Sequence, residues 1–356
     1  MLEQQPNLRR EEGDKREQNQ SSEADCEKNE RDERLLSELG LSRKEIDELE
    51  NPDVTGSTAL VSFVDRADKK LVIKRGIDVD PDLNARREYT FLRLLQMRSG
   101  DKVAPDPYFY TATPEGDFLI MEKIEGEVVN EMTDDNIGRI AQTMAQVHRP
   151  EFKKPGIPFR ERQEASQYDR LIEQVDFLRN WFDELGHYID DVNTEDEFDL
   201  GQLIEAKDAI LDKAVEAQDA FKDDSFSLIH YDLNPGNILK DNEDRILFLD
   251  WRQASIGDRA MDVAKFFFKN NLNNQQQETF LDTYLSEVDD NTLRDRIDVY
   301  RPLLQLGSLL WRLRFLNVDI KDHPELGQGV DIELVRSRLN DDYRHLIDGA
   351  EVDINK

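Results

Sequence analysis

The sequence contains few of the residues that build disulfides or cysteine- and histidine-based metal sites. Cys26 is the single cysteine, so neither an intrachain disulfide nor a cysteine-ligated zinc site can form. The five histidines show no ligand-like spacing. No apolar run approaches the roughly 18 residues that a membrane-spanning helix needs, and no secretory signal pattern is present. We therefore expect a cytoplasmic protein that is not embedded in a membrane.

Basic residues are also scarce relative to acidic ones. The 356 residues include 47 Lys and Arg against 78 Asp and Glu, and the net charge is −31. Such acidity argues against nucleic-acid binding through a basic surface. Because the acidic residues are spread along the whole chain, the pattern suggests a protein from a high-salt (halophilic) cytoplasm. An acidic cleft for a cationic ligand gives the same composition, so the charge alone does not identify a ligand.

The N-terminal part of the chain divides into two segments. Residues 1–32 are polar and charged without a periodic apolar face, which indicates a disordered tail. Residues 33–50 contain a short apolar stripe, formed by Leu35, Leu36 and Leu39. Ser42 and Glu45 then have the spacing of a capping box at the start of a second helix. This helical extension either packs on the following lobe or binds a partner, and we favour packing.

Three polar side chains within residues 227–251 carry the strongest functional signal. Asp232 and Asn237 lie on a loop that enters an apolar run, and Asp250 ends the next apolar run. A hairpin between the two runs returns Asp250 to the end where Asn237 lies, so a carboxylate and an amide can share one cation. Asp232 is then free to act as a base or to orient a hydroxyl. Phosphoryl transfer requires this division of roles; the alternative is a polar turn of ordinary Asx residues.

The spacing His-x-Asp-x-x-x-x-Asn, followed by an Asp at the end of the next apolar run, resembles the aminoglycoside phosphotransferase and choline kinase family. The likeness continues through residues 257–264, and a weaker one extends from about residue 55 to residue 315. It implies a protein-kinase-like fold of class α+β, bilobal, with a small antiparallel sheet and a mostly helical larger lobe. It also implies ATP or GTP and Mg²⁺ as cofactors, with Asp232 catalytic and Asn237 and Asp250 as metal ligands.

Two departures separate the sequence from protein kinases. Those enzymes carry a Lys two residues after the catalytic Asp, where this chain has Asn234. They follow the metal-binding Asp with Phe-Gly, where this chain has Trp251 and Arg252. We therefore predict a kinase that phosphorylates a hydroxyl of a small molecule such as an amino sugar, amino alcohol or sugar. The alternatives are a nucleotide-binding pseudokinase with a regulatory role and an atypical protein kinase.

A kinase-like fold requires a lysine and a helical glutamate at the nucleotide. Lys74 ends an apolar run that follows a predicted hairpin turn over residues 65–68. Glu88 shares one face of a predicted helix with Phe91 and Leu92, where a carboxylate is costly unless it is paired. We predict that Glu88 positions Lys74 and that Lys74 neutralises phosphate oxygens. The alternative places Glu88 at the edge of the apolar stripe with its carboxylate in water.

Two further segments are candidates for nucleotide binding. Gly56 and Ser57 precede the first strand, where their backbone amides can face phosphates, although a turn with a single glycine is common. By the resemblance, Glu122 and Ile124 belong to the hinge between the lobes. There the backbone, rather than the side chains, pairs with the edge of adenine. An ordinary strand and turn is the alternative for this second segment.

The family resemblance also suggests domain boundaries and supporting residues. We expect a nucleotide-binding lobe over residues 51–124 and a lobe with the catalytic loop and substrate site over residues 125–356. His230 and Asp262 look like braces for the catalytic loop, with Asp262 accepting backbone amides, capping a helix, or both. His148 ends a predicted helix, where we expect it to cap carbonyl groups or to interact with the helix dipole.

The sequence is compatible with two kinds of acceptor, one cationic and one anionic. Six aromatic residues lie where an acceptor could bind, although helical spacing explains most of them as core: Tyr168, Trp181, Phe182, Tyr188, Tyr300 and Trp311. Aromatic faces beside acidic groups suit a quaternary ammonium or an amino sugar. Arg252, in contrast, favours an anionic group. The sequence therefore predicts a small-molecule substrate, but it does not predict whether that substrate is cationic or anionic. It makes no prediction about the oligomeric state.

Overall fold

The computed structural model describes residues 32–47, 54–55, 59–66, 69–76, 85–98, 100–113, 116–149, 151–156, 166–185, 188, 198–222, 225–322 and 330–354. Two compact units divide the chain. The smaller comprises Met1–Ser99 and Ala104–Glu125, and the larger comprises Gly100–Val103 and Gly126–Lys356. Both units contain helices and antiparallel strands, which confirms the predicted α+β class. The predicted disordered tail lies almost wholly outside the described residues.

The smaller unit is built on a five-stranded antiparallel sheet. Its strands, in spatial order, are β1 (Val54–Thr55), β2 (Ala59–Arg66), β3 (Lys69–Gly76), β5 (Gly116–Glu122) and β4 (Pro107–Thr113). The hairpin of β2 and β3 was predicted, but its strands are longer than expected. Asp65 pairs with Lys70 across the two strands, an arrangement of opposite charges that favours pairing. Residues 65 and 66 therefore belong to β2 and not to the predicted turn.

The helical extension packs on this sheet. Its helices are α1 (residues 32–38) and α2 (Arg43–Asp47), separated by Gly40 with a φ of +68°. The predicted capping box is present, since Glu45 Oε2 accepts from the backbone amide of Ser42 at 2.8 Å and Ser42 Oγ accepts from that of Glu45 at 3.3 Å. Apolar residues from the helices and the sheet form one core cluster: Leu36, Leu39, Leu41, Ile46, Leu71, Ile73, Phe109, Phe118 and Ile120.

One further helix of the smaller unit, α3, spans Ala85–Gln96. Its buried residues include Phe91 and Leu92, as the helical spacing predicted, and Glu88 is buried on the same face. The side chain of Glu88 is only 1% exposed, so the alternative of a carboxylate in water is wrong. A buried carboxylate needs a compensating partner, and the neighbouring strand β3 supplies it.

The larger unit contains two small antiparallel sheets, and the first of them includes the predicted hairpin between Asn237 and Asp250. The first sheet has the order β10 (Ile246–Phe248), β9 (Ile238–Asp241) and β6 (Gly126–Val128). The second has the order β11 (Ser255–Gly257), β8 (Phe226–Ile229) and β7 (Glu151–Phe152). The register aligns Ile238 with Phe248, so the residue before β9 and the residues after β10 emerge at the same end. The local sequence pattern predicted this hairpin.

Helices account for most of the other described residues of the larger unit. They are α4 (Asp134–His148), α5 (Gln167–Leu185), α6 (Leu200–Glu216), α7 (Arg259–Lys269), α8 (Asn274–Glu287), α9 (Leu293–Arg314) and α10 (Ile332–Ile354). Several begin at side chains that accept backbone amides, which is the usual way of satisfying a helix N-terminus. Asp258 caps α7 through the amide of Ala260, and Asn273 with Gln276 forms a capping box at α8. Among the described helices, none combines the length and apolar character needed to cross a bilayer.

Candidate active site

Asp232 lies on the loop that joins β8 to β9. Strand β8 is fully buried, and the chain leaves it through His230 and Tyr231, which has a φ of +69°. A short 3₁₀ turn, Pro235–Asn237, then leads into β9. The Asp232 carboxylate is 16% exposed, and its Oδ1 lies 3.3 Å from Lys269 Nζ at the end of α7. The fold therefore presents one accessible carboxylate from a loop whose two ends are fixed by strands.

Asp262 holds this loop from beneath. Its Oδ2 accepts from the backbone amide of His230 at 2.8 Å, and its Oδ1 accepts from that of Tyr231 at 2.7 Å. Burial works against the charged carboxylate, but hydrogen bonds from His148 and from the His230 amide outweigh it and lower the pKa of Asp262. The alternative role of Asp262 as the helix N-cap is wrong, since Asp258 performs that function.

His230 ties the start of the loop to the end of the hairpin. Its Nε2 lies 2.8 Å from the carbonyl oxygen of Leu249, and its Nδ1 lies 3.2 Å from the backbone nitrogen of Asp232. A carbonyl can only accept and an amide can only donate, so Nε2 carries the proton and Nδ1 accepts. Burial lowers the pKa of His230, which keeps the ring neutral and preserves both bonds.

His148 differs from its predicted role. Its ring does not cap the end of α4 but reaches Asp262, with Nε2 3.1 Å from Oδ2, and Tyr284, with Nδ1 2.7 Å from the phenol oxygen. Burial lowers the pKa of His148, so the neutral ring donates to Asp262 and accepts from Tyr284. His148 thus supports the carboxylate that supports the loop. Its α8 partner, Tyr284, carried no signal in the sequence that linked it to this site.

Asn237 and Asp250 emerge together at the open end of the hairpin. The backbone amide of Leu249 donates to the Asn237 carbonyl at 2.9 Å, which places Asp250 one residue beyond that bridge. The Asn237 side-chain amide donates to the Asp232 carbonyl at 2.7 Å, and this bond directs its nitrogen toward the loop. Asp250 has left-handed backbone angles, φ +62° and ψ +68°, a conformation that Asp tolerates better than most residues.

Arg252 contacts Asp250. Its Nε lies 2.9 Å from Oδ1 and its Nη2 lies 3.2 Å from Oδ2 of that carboxylate. The sequence suggested a substrate contact for Arg252, whereas the structure gives its guanidinium a carboxylate two residues away. Arg252 therefore belongs to the immediate electrostatic environment of Asp250.

The chemistry of Asn237 and Asp250 fits a magnesium ion that is shared with a nucleotide. Both side chains offer oxygen, the ligand atom that Mg²⁺ prefers, and Mg²⁺ in nucleotide enzymes is usually held by one or two protein groups plus phosphates. The described part of the chain contains no group of three or more His, Cys, Asp or Glu side chains that could form an all-protein cage. The two oxygen donors are therefore suited to a metal that is shared with nucleotide phosphates.

Lys74 and Glu88 meet in the smaller unit. Lys74 Nζ lies 2.7 Å from Glu88 Oε1, and the two side chains are 13% and 1% exposed. Strand β3 fixes Lys74 on both sides, because it pairs with Val61 on β2 and with Leu119 on β5. The predicted contact is present, and the lysine keeps a small accessible fraction beside its buried partner.

The other predicted nucleotide-binding residues have less defined surroundings. Glu122 is the last residue of β5, and its amide donates to the carbonyl of Asp106 at 2.9 Å. Ile124 follows two residues later in a segment without regular secondary structure. Gly56 and Ser57 lie outside the described residues, so their role stays a prediction.

A large cavity of about 2060 Å³ lies in the larger unit. Tyr231, Lys265 and Lys269 line it beside the loop that carries Asp232. Of the six aromatic candidates for acceptor binding, Trp181 and Trp311 also line it. Phe182 and Tyr300 are buried in the core, in agreement with their helical spacing, and the Tyr168 hydroxyl donates to the carbonyl of Val215 at 2.6 Å. The cavity therefore joins aromatic surfaces to the surroundings of Asp232.

The sequence matches the model of a family described as phosphotransferase enzymes over residues 52–300. This chain is a member of that phosphotransferase enzyme family. Two curated proteins are similar in sequence. Protein LicA homolog of Metamycoplasma hominis is 28% identical over 197 residues, which are 54% of this chain and 65% of that protein. Protein LicA homolog of Mycoplasma capricolum is 27% identical over 168 residues, which are 47% of this chain and 57% of that protein. The chain thus spans less than two thirds of these curated relatives.

Several solved structures of small-molecule kinases share the fold. Choline kinase LicA from Streptococcus pneumoniae superimposes with a TM-score of 0.56 at 18% identity, covering 87% of this chain and 97% of that one. Ethanolamine kinase of Plasmodium vivax gives 0.58 at 17% identity, with 86% and 84% covered. Aminoglycoside phosphotransferase APH(4)-Ia gives 0.56 at 16% identity, with 85% and 95% covered. The resemblance inferred from the sequence and the protein-kinase-like fold are both confirmed.

Proposed function

We propose that this protein is a small-molecule kinase that transfers the γ-phosphoryl group of ATP to a hydroxyl group. The observation that carries the proposal is the loop geometry around Asp232. One accessible carboxylate stands on a loop that is fixed by Asp262 and His230, and two oxygen donors, Asn237 and Asp250, emerge from the adjoining hairpin. Phosphoryl transfer uses positioning and charge neutralisation more than covalent chemistry by the protein, and this arrangement supports both.

Asp232 would orient the acceptor hydroxyl and accept its proton as the oxygen attacks the γ-phosphorus. A fixed carboxylate that contacts the nucleophile in this way contributes orientation as well as basicity. Lys269 Nζ lies 3.3 Å from Asp232 Oδ1 and places a positive charge beside this carboxylate. The Asn237 side chain donates a hydrogen bond to the backbone carbonyl of Asp232 and so ties the loop to the start of the hairpin.

Lys74, held by Glu88, would neutralise oxygens of the nucleotide phosphates, and Glu122 and Ile124 would contribute backbone groups to the adenine edge. Asn237 and Asp250 would hold Mg²⁺, which neutralises phosphate charge when it is bound. Two solved relatives support an adenine nucleotide. One is LicA in complex with AMP, and the other is a variant of APH(4)-Ia in a ternary complex with ADP and hygromycin B. GTP stays the alternative donor from the sequence.

The proposal is tested by a screen for phosphoryl transfer from γ-labelled ATP. Amino sugars, amino alcohols, sugars, sugar acids and nucleosides would be offered at high salt, with full-length protein and with Asp232→Asn as the matched control. We expect label to move to a small molecule with the wild type and not with the variant. Label on proteins of a cell extract would instead indicate an atypical protein kinase. Nucleotide binding without transfer to any acceptor would indicate a pseudokinase.

A further inference from the structure

Two lysines stand beside Asp232 on one face of α7. Lys265 and Lys269 are four residues apart, one helical turn, and both line the cavity. Lys269 Nζ lies 3.3 Å from Asp232 Oδ1. Lys265 Nζ lies 3.5 Å from the ring centroid of Tyr231, the residue that precedes Asp232. Two ammonium groups therefore flank the position from which a hydroxyl would react.

This placement is unfavourable for the protein by itself. Like charges four residues apart on a helix repel each other, and burial of an ammonium without a paired carboxylate is costly. Among the described residues, none provides a carboxylate at ion-pair distance from Lys265, which is partly buried against Tyr231. Burial, followed by the charge of Lys269, lowers the pKa of Lys265 to about 8, and the opposing charges of Asp232 and Asp262 offset only part of this decrease. A bound anion would remove both costs.

The cavity as a whole has the opposite charge balance to the chain. Its lining contains seven Lys and Arg side chains against four Asp and Glu, whereas the full sequence has 47 against 78. Evenly distributed acidity does not produce a basic cavity. The excess of positive side chains is therefore concentrated at this site against the composition of the chain.

The same geometry disfavours a cationic acceptor. A quaternary ammonium or protonated amine binds well over the face of an aromatic ring. Here the ammonium group of Lys265 already lies over the ring of Tyr231 and occupies that position. A second cation next to Asp232 would meet Lys265 and Lys269 at short range, where like charges repel each other.

We propose that the acceptor of this kinase carries an anionic group, a carboxylate or a phosphate, close to the hydroxyl that is phosphorylated, and that Lys265 and Lys269 bind this group. The inference rests on the proposed phosphotransferase function and extends it to a substrate class. Lys269 would exchange its contact with Asp232 for a contact shared with the anion. Trp181 and Trp311 provide apolar surface for the remainder of the acceptor in the same cavity.

The test compares small hydroxyl-bearing acceptors that are neutral, anionic or cationic. One series contains glycerol, glycerate, glycerol 3-phosphate and the cations choline and ethanolamine. The other contains glucose, glucosamine, glucuronate and glucose 6-phosphate. Transfer from ATP and direct binding by titration calorimetry are measured with the full-length protein at constant ionic strength. We expect the anionic members to bind and react best, and the carboxylate and phosphate arms identify which anion is preferred.

Three variants connect the preference to the lysines. Lys265→Met and Lys269→Met should weaken binding of the preferred anionic member by about 10- to 100-fold, the loss expected when a charged hydrogen-bond partner is removed, while nucleotide affinity stays the same. Lys222→Met is the matched control, because it removes one positive charge from an exposed side chain that pairs with Asp219. Since Lys269 is exposed, Lys269→Met keeps the test valid if Lys265→Met fails to fold.

Two results would overturn the inference. The first is preferred binding of choline, ethanolamine or glucosamine, unaffected by either lysine variant. The second is a loss of nucleotide affinity instead of acceptor affinity in the variants, which would assign the lysines to the transferred phosphoryl group in place of the Lys that is absent at Asn234. Transfer to no acceptor of any charge would contradict the proposed function. In that case, calorimetry would still test the inference separately, because it measures whether the anionic compounds bind through Lys265 and Lys269.

Discussion

Glu88 Oε1 lies 2.7 Å from Lys74 Nζ, and neither side chain is more than 13% exposed. Strand β3 carries the lysine and helix α3 carries the glutamate, so the contact joins two elements of the smaller unit. A buried ion pair adds little net stability relative to apolar residues, but removal of one partner leaves an uncompensated charge. This asymmetry distinguishes a buried pair from the exposed pairs elsewhere in the chain.

The asymmetry gives a prediction about stability. Glu88→Ala should lower the free energy of unfolding by about 3 kcal/mol, because Lys74 loses its partner in a poorly hydrated site. The double variant Lys74→Met with Glu88→Met should be less destabilised, since no charge remains unpaired. Urea denaturation measures both values. Glu38→Ala is the control, because its pair with Arg34 is exposed and contributes at most about 1 kcal/mol. Equal destabilisation by Glu88→Ala and Glu38→Ala would show that the pair is not effectively buried.

Asp232 is the residue on which the rate of transfer should depend most. Asp232→Ala should reduce kcat by roughly 10²–10⁴-fold, the usual contribution of a positioned base, with nucleotide affinity nearly unchanged. Single-turnover kinetics and nucleotide titration separate these two effects. A variant that retains wild-type turnover with an identified substrate would show that Asp232 is not the catalytic carboxylate.

Asp250 should determine the metal dependence of nucleotide binding. Asp250→Asn keeps the size of the side chain but removes a negative oxygen ligand from a hard cation. Nucleotide affinity should fall sharply with Mg²⁺ present and change little when the metal is chelated. Asn237→Ala should show the same pattern more weakly, because an amide oxygen carries no net charge. If Asp250→Asn weakens binding equally in both conditions, the carboxylate has a structural role through Arg252.

The two buried histidines predict a pH dependence of stability. Burial lowers the pKa values of His148 and His230 below their ordinary value of 6.5. Between that value and the lower folded pKa, the unfolded chain binds more protons, so stability falls as the pH decreases below about 6.5. The slope is at most about 1.4 kcal/mol per pH unit for each ring. Asp262, whose pKa is also lowered, adds a loss in the same direction at more acidic pH.

Thermal or urea unfolding between pH 7.5 and pH 5.5 measures this slope. In His148→Gln the slope should decrease by the share of one histidine, while His345→Gln, which alters an exposed histidine, should leave it unchanged. An unaltered slope in His148→Gln would mean that another group causes the acid sensitivity.

The net charge of −31 gives the prediction about salt. Self-repulsion destabilises a compact acidic chain, and the Debye length falls from ~10 Å at 0.1 M to ~3 Å at 1 M salt. The melting temperature and the activity should therefore both rise over this range. Deletion of residues 1–31 should reduce the effect only slightly, because acidic residues continue throughout the rest of the sequence. A constant melting temperature would argue against adaptation to a high-salt environment.

The sequence by itself determined the local features of the site. Asp232, Asn237 and Asp250 lie within one loop and one hairpin, so their spacing along the chain sets their spacing in space. The pairing of Glu88 with Lys74 was also predictable, because a carboxylate on an apolar helical face needs a partner and the family resemblance pointed to the lysine that ends the preceding apolar run. The start of helix α2 at Ser42 was also predictable, because the capping box with Glu45 involves residues only three positions apart.

The tertiary structure alone decided which distant side chains join these residues. His148 contacts Asp262, 114 positions away in the sequence, and Tyr284, 136 positions away. Both carboxylate oxygens of Asp262 accept backbone amides of the loop only because α7 packs against that loop. Lys265 and Lys269 look in the sequence like ordinary charges on a helix. Their meaning arises from the packing of α7 against Asp232 and Tyr231, since the energy of a charge depends on the burial and the neighbouring charges that the folded chain places around it.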